Sequence, residues 1–185
     1  MPPSAGKHNI QEPLTTIMTK KVLFIIITLM TILACKEEAS NKIYVLDKSE
    51  IDHIKYLKSA IPFQRMDENG ERYIRKKGGV GGMNLQEPQL DKLIECNSPV
   101  IDDVKAILVM DFPSKKSIAY EIYNEKGFTK KELVTEISKA YSIIYGEKEK
   151  YEISLHNLSD LELCGILEYQ KDNLTYLVTR VELIK

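Results

Sequence analysis

The stretch KAILVMDFPSKKSIAYEIYNEKGFTKKELVTEISKAYSIIYG, residues 105–146, decides the fold class. Its first part, residues 105–112, contains the apolar run AILVM and reads as a mostly buried strand stopped at Pro113. Residues 116–123 then alternate, with Ile118, Tyr120 and Ile122 on one side and Ala119, Glu121 and Tyr123 on the other. Pro113, Ser114 and Lys115 make a tight connection, so the two strands are expected to pair as a hairpin. Gly127, Phe128 and Thr129 lead into a helix. Thr129 and Glu132 have the spacing at which each side chain satisfies an orphan backbone N–H of the first turn. Leu133, Ile137, Ala140, Tyr141, Ile144 and Tyr145 form one apolar stripe, and Gly146 suits its end.

Working outward, residues 161–169 alternate again, placing Leu161, Leu163, Gly165, Leu167 and Tyr169 on one face. Asp172 and Asn173 make a turn, and residues 174–184 form a last strand. The order strand, strand, helix, strand, strand predicts an α+β fold of two layers, an antiparallel sheet with the helix across one face. Such a fold names no function.

Toward the amino terminus the signals are local. Within residues 44–61, Ile51, Ile54, Leu57 and Ile61 fall at helical spacing, with Asp47 or Ser49 at the start and Pro62 at the end, so a helix is expected. Asn69-Gly70, between residues 63–66 and 72–75, is a hairpin signal. The run Gly78-Gly79-Val80-Gly81-Gly82 reads as a flexible surface loop, residues 88–94 as a short helical turn, and residues 99–103 as a connector. Residues 43–185 are expected to form a single globular domain.

Part of this pattern resembles a known family. Gly127-Phe128-Thr129 followed by Glu132-Leu133, then Ile144-Tyr145, His156, Asp160-Leu161 and Gly165-Ile166, is similar to a group of small uncharacterised bacterial and plant proteins. The resemblance covers residues 105–185. Ile153-Ser154-Leu155 stand where that group has an aromatic residue and glycines before the histidine. The resemblance implies the fold and brings no activity with it.

The first 42 residues have a different character. Residues 22–33, VLFIIITLMTIL, form an uncharged run directly after Lys20 and Lys21. A positive start before a short apolar stretch is the layout of a signal peptide, and twelve residues fall short of the roughly 20 that span a bilayer. The run ends in Ile32-Leu33-Ala34-Cys35, which resembles the lipobox of bacterial lipoproteins. That resemblance implies cleavage after Ala34, with acyl chains on the sulfur and new amine of Cys35. Met18 opens a signal of normal proportions, so translation is expected to start there, with residues 1–34 removed and residues 35–42 left as a lipidated tether. Lys36-Glu37-Glu38 resembles the export signal of surface lipoproteins in the Bacteroidetes group and equally resembles a plain acidic tether. The expected location is therefore the outer membrane, with the domain facing the periplasm or the cell surface.

Charge and cysteine usage narrow the partners. Lys and Arg number 26 against 27 Asp and Glu, a formal net charge of −1, so no basic surplus points to nucleic acid. Removing residues 1–34 takes three lysines and one glutamate, leaving a net −3. Membrane attachment is then expected through lipid on Cys35 and not through charge. Cys96 and Cys164 remain, either as a pair for one disulfide or, for Cys164, as a thiol buried in a strand.

The best polar grouping is His156, Asp160 and Glu162 at the start of a strand. His156 and Asp160 are the catalytic candidates, weighed against a backbone-capping role for Asp160 and a carbonyl hydrogen bond for His156. No motif marks a nucleophile, no His-x-x-x-His or Cys-x-x-Cys marks a metal site, and none implies a cofactor. The glycine run lacks the Lys-Ser/Thr of a phosphate loop. Asp111 reads as a solvated strand end, and the tyrosines as core-edge residues that suit a protein interface. The resulting expectation is a membrane-anchored lipoprotein with a non-enzymatic protein-binding domain. The alternatives are an immunity protein against a toxin, a structural accessory of an envelope assembly, and a hydrolase using His156 and Asp160.

Overall fold

The computed structural model of the protein describes residues 41–47, 56–75, 78–153 and 156–184. Cys35 and the rest of residues 1–40 lie outside these. The described strands are β1 (Ile43–Val45), β2 (Leu57–Pro62), β3 (Met83–Asn84), β4 (Pro99–Ile101), β5 (Lys105–Met110), β6 (Ile118–Tyr123), β7 (Phe128–Thr129), β8 (Leu161–Lys171) and β9 (Leu174–Leu183). The helix is α1 (Lys130–Gly146), and Leu90–Lys92 and Leu158–Asp160 are single 3-10 turns. Asn41–Lys185 form one structural unit.

The residues 105–146 fold as read. β5 and β6 pair antiparallel from Lys105 opposite Tyr123 to Met110 opposite Ile118. Thr129 and Glu132 form the reciprocal capping box at the start of α1. Leu133, Ile137, Ala140, Tyr141 and Ile144 are buried against the sheet. The Tyr141 hydroxyl donates to the Phe112 carbonyl at 2.8 Å and lies 3.0 Å from the Thr179 hydroxyl, fixing the helix to β9. Burial pushes the Tyr141 phenol up from its ordinary value.

The fold is α+β, a helix with a sheet, but the sheet is mixed where the sequence reading expects it purely antiparallel. Its order is β1-β6-β5-β9-β8-β2, with β3 also on β8, and β5 runs parallel to β9. The pairings explain this. β6 is antiparallel to β5 and β8 is antiparallel to β9, so with β9 along β5 the strands flanking α1 run the same way. The β8–β9 hairpin thus returns its second strand beside β5. Alternation within one strand carries no information on a neighbour's direction. Asp172 and Asn173 turn that hairpin with φ of 51° and 61°, as a two-residue connection between twisted strands requires.

The expected face of β8 is also corrected. Leu163 opposes Val181 while Gly165 opposes Arg180, so Cys164 is the extra residue of a β-bulge. The bulge shifts the phase by one. Leu161, Leu163 and Ile166 enter the helix-side core, whereas Leu167 and Tyr169 fall on the other face in register with Val178 and Tyr176. β6 is buried on both faces: Ile118, Tyr120 and Ile122 belong to the main core, and Ala119 packs with Leu46, Ile107 and Val109 in a second, smaller one.

In the amino-terminal half, the helix expected over residues 44–61 is replaced at both ends by strands. Ile43–Val45 pairs with β6 at one sheet edge, and Leu57–Pro62 pairs with β8 at the other. Ile51 and Ile54 lie outside the described residues. Edge pairing overrides the helical spacing, and β2 carries the marks of an edge strand in Lys58, a bulge before Ser59 and Pro62. The expected connector at residues 99–103 contains β4, paired with β7. The hairpin at Asn69-Gly70 forms, with Met66 bridged to Arg72 and Gly70 at φ 79°.

The strand register defines two rims of the sheet. Asn41, Val104, Tyr123, Leu174 and Tyr56 lie at one, next to the ends of β1, β5, β6, β9 and β2. The start of β8, the end of β9, β3 and the residues 65–75 and 78–80 lie at the other. No helix among the described residues is long and apolar enough to cross a membrane.

Candidate functional site: an arginine-bridged cluster on the distal rim

β8 and β9 place Glu162 directly opposite Glu182. Two like charges in a cross-strand pair repel, so the sheet needs a cation between them. Arg75 supplies it. Its Nε donates to Glu162 Oε2 at 2.9 Å and its Nη1 to Glu182 Oε2 at 2.6 Å, while Nη2 lies 3.2 Å from the Cys164 sulfur. Glu162 is 4% exposed, and it takes a further backbone N–H from Gly82 at 3.4 Å. Arg65 Nη2 stands 3.8 Å from Glu162 Oε1, and the Arg65 guanidinium lies over the Tyr73 ring at 4.1 Å.

The glycine run creates this arrangement. Gly78 and Gly79 take φ of 85° and 84°, and the Arg75 and Gly78 amides donate to the Gly79 and Arg75 carbonyls, turning the chain just after Arg75. A Cβ on Gly82 would come within 2.4 Å of the Leu163 carbonyl oxygen, and one on Gly81 within 2.2 Å of the Tyr73 ring. The expected flexible surface loop is therefore corrected. The first two glycines are needed for a turn, and the last two for close approach to Tyr73 and to β8.

The electrostatics follow from the geometry. Hydrogen bonding to Glu182 holds the Arg75 guanidinium above its ordinary value, and Arg75 in turn holds the Glu182 carboxyl below the usual range. Burial, with Glu182 adding to it, pushes the Cys164 thiol up against the opposing pull of Arg75. A thiol raised in this way is a poor nucleophile, because the thiolate is the reactive form. The cluster is built to hold the residues 65–75 on the sheet.

Stability at acid pH tests that. The lowered Glu182 pKa contributes stability that is present above the ordinary carboxylate value and is lost as pH falls through the folded one. Glu182 is half exposed, so the effect is screened and small. Arg75→Gln is expected to lose about 1–3 kcal/mol near neutral pH, because Glu162 keeps only the Gly82 amide and the more distant Arg65, and to flatten the acid limb below about pH 4. Denaturant unfolding of both proteins from pH 3 to 7 measures it.

Shallow grooves flank the cluster. One of about 320 Å3 is lined by Arg65, Met83, Asn84 and Ser159 among others. Another, of about 580 Å3, runs along the hairpin from Arg65 through Arg72 to Lys92. A third, of about 350 Å3, opens beside Cys164 and Arg180. None of the three is lined by a histidine.

Each polar candidate read from sequence has its own set of contacts. Asp160 Oδ2 accepts from the Asn157 amide at 2.9 Å and caps the 3-10 turn. The His156 ring lies 6.3 Å from the Phe112 ring, and its carbonyl accepts from Lys148 Nζ at 3.5 Å. Glu162 points to Arg75. Among the described contacts of His156 none is with Asp160. Burial and the charge of Asp160 push the Tyr145 phenol up to about 12. Asp111 is exposed at its strand end, as read. Cys96 and Cys164 are both free thiols, which corrects the disulfide alternative. Among the described residues no group of three or more His, Cys, Asp or Glu is placed to hold a metal.

Arg75, Glu182 and Arg65 went unread in the sequence for a physical reason. Counting outward from the Asp172-Asn173 turn pairs Glu162 with Leu183, and only the bulge at Cys164 brings Glu182 opposite it. No family model, curated protein or solved structure matches the chain.

Proposed function

We propose that the protein is a lipoprotein held on the outer membrane by acyl chains on Cys35, whose domain binds a protein partner and is not an enzyme. The observation that carries the binding reading is the Arg75-bridged hairpin region. It is fixed in advance by Glu162, Glu182 and the Arg65–Tyr73 stack, so little ordering is left to oppose association. It also presents Ile74, 56% exposed, in a shallow groove lined mostly by polar and charged side chains, and Arg65 joins that groove to a second one. An apolar residue rimmed by arginine and tyrosine is the composition that interfaces favour. The anchor reading rests on the apolar run before Ile32-Leu33-Ala34-Cys35.

A photo-crosslinking residue tests the binding face on intact cells. Placed at Ile74, it is expected to give a discrete crosslinked protein, at least ten times weaker when Arg72→Glu is added. Placed at Ile143, on the outer side of α1, it is expected to give none. Equal products from the two positions, or no product at Ile74, would overturn the reading.

A further inference from the structure

Five of the ten large apolar residues that are well exposed among the described residues lie on one rim of the sheet, so their exposure is not scattered. Tyr56 (79%) precedes β2 and Leu57 (56%) opens it, Val104 (41%) precedes β5, Tyr123 (52%) closes β6 and Leu174 (36%) opens β9. The register ties them together. Leu57 opposes Tyr169 two residues from the β8–β9 turn, Lys105 opposes Tyr123, and Ala106 opposes Thr175. Neighbouring strands lie about 4.8 Å apart, so the six strands from β1 to β2 make a rim about 24 Å long.

The tether reaches the domain at this same rim. Ile43 pairs with Tyr120, the Lys42 carbonyl accepts from Glu121, and the Asn41 side chain donates to the Tyr120 hydroxyl at 2.6 Å. Asn41 is six residue steps along the chain from Cys35, a reach of at most about 21 Å when fully extended. A lipid on Cys35 therefore holds this rim close to the bilayer. The cluster around Arg75 is at the opposite rim.

The chemistry of the rim matches a lipid interface. Tyrosine with one apolar and one polar end, and lysine with a long stem, are the side chains that settle at headgroup level. Lys42, Lys105 and Lys126 stand among the apolar residues, and the exposed Asp102, Glu125 and Asp172 offset them. With charge balanced, contact is driven by apolar burial and not by anionic lipid.

We propose that the rim formed by Tyr56, Leu57, Val104, Tyr123 and Leu174 seats on the membrane surface, presenting the opposite rim outward. This rests on the reading of Cys35 as lipidated. The chain contains no tryptophan, so a single one reports its own surroundings. The processed lipoprotein carrying Tyr123→Trp, and the same protein carrying Phe112→Trp near the far end of β5, are placed in vesicles of phosphatidylcholine with brominated chains. The Tyr123→Trp emission is expected to shift to the blue and to be quenched at least twofold more than that of Phe112→Trp. Adding Leu174→Glu is expected to reduce that difference, and adding anionic lipid to leave it unchanged. The mass of the vesicle-bound protein reports acylation separately. An acylated protein in which both reporters are quenched equally overturns the seating and leaves the anchor standing, whereas an unacylated one overturns the anchor and the seating with it. A Tyr123→Trp reporter shielded in native envelopes yet unquenched by brominated lipid would mean that a protein covers the rim, and would overturn the lipid assignment.

Discussion

Cys35→Ser is expected to abolish acylation outright: incorporation of labelled palmitate falls from that of the parent protein to background. The replacement leaves the apolar run of residues 22–33 intact and removes only the sulfur that would carry the diacylglyceryl group. The consequence for location follows from the magnitudes. Each buried methylene contributes about 0.8 kcal/mol, a single chain of myristoyl size gives only marginal binding with K of about 10⁴ M⁻¹, and two or more chains make attachment stable. Charge offers no substitute for this, because residues 35–185 carry a net −3, which anionic lipid repels. The other two cysteines serve as controls. Cys96 and Cys164 lie within the folded domain as free thiols, and replacing either is expected to leave labelling unchanged. Label persisting in Cys35→Ser, or lost in Cys96→Ser, would place the lipid elsewhere.

The second large effect is on stability. Gly82→Ala is expected to lower it by about 3 kcal/mol or more, a fall in Tm of roughly 6–12 °C for a domain of this size. The added Cβ would meet the Leu163 carbonyl oxygen at 2.4 Å, its carbon at 2.8 Å and the Cys164 nitrogen at 3.1 Å. All three are backbone atoms at the bulge of β8, held by β3 on one side and β9 on the other, and none yields as a flexible side chain would. Relief requires lifting β3, which also withdraws the Gly82 amide from Glu162. Gly78→Ala provides the contrast. Its Cβ meets nothing within 4 Å, so the loss is confined to a left-handed backbone, about 1 kcal/mol. Thermal unfolding of both variants orders them, and a Gly82→Ala protein as stable as Gly78→Ala would show that the run does not pack against the sheet as described.

The sequence was most informative where local rules decide the outcome. The β5–β6 hairpin, the capping box of Thr129 and Glu132, the buried stripe of α1 and the turn at Asp172-Asn173 all depend on residues within a few positions of one another. What it did not reveal depends on distant partners. The parallel pairing of β5 with β9 involves residues about 70 positions apart, and no alternation pattern records it. The strand at residues 57–62 is set by its seat against β8, which its own apolar spacing does not encode. The same holds for the site. His156 and Asp160 are noticeable because they are rare and close in sequence, yet Asp160 caps a turn and His156 lies by Phe112. Arg75 is unremarkable in sequence, and it becomes the centre of a cluster only because a bulge puts Glu162 opposite Glu182. Glycines that read as slack prove necessary for approach to the strand that carries that bulge.

The two ends of the domain acquire distinct roles in this account, one rim on lipid and the other offering the Arg75-fixed hairpin to a partner, and both depend on the anchor. The most direct test of the central claim is the mass of the amino-terminal peptide of the protein extracted from membranes. The expected peptide begins at Cys35, with a diacylglyceryl group on its sulfur and an acyl chain on its amine. A mature chain beginning elsewhere, or one with an unmodified Cys35 thiol, would contradict it.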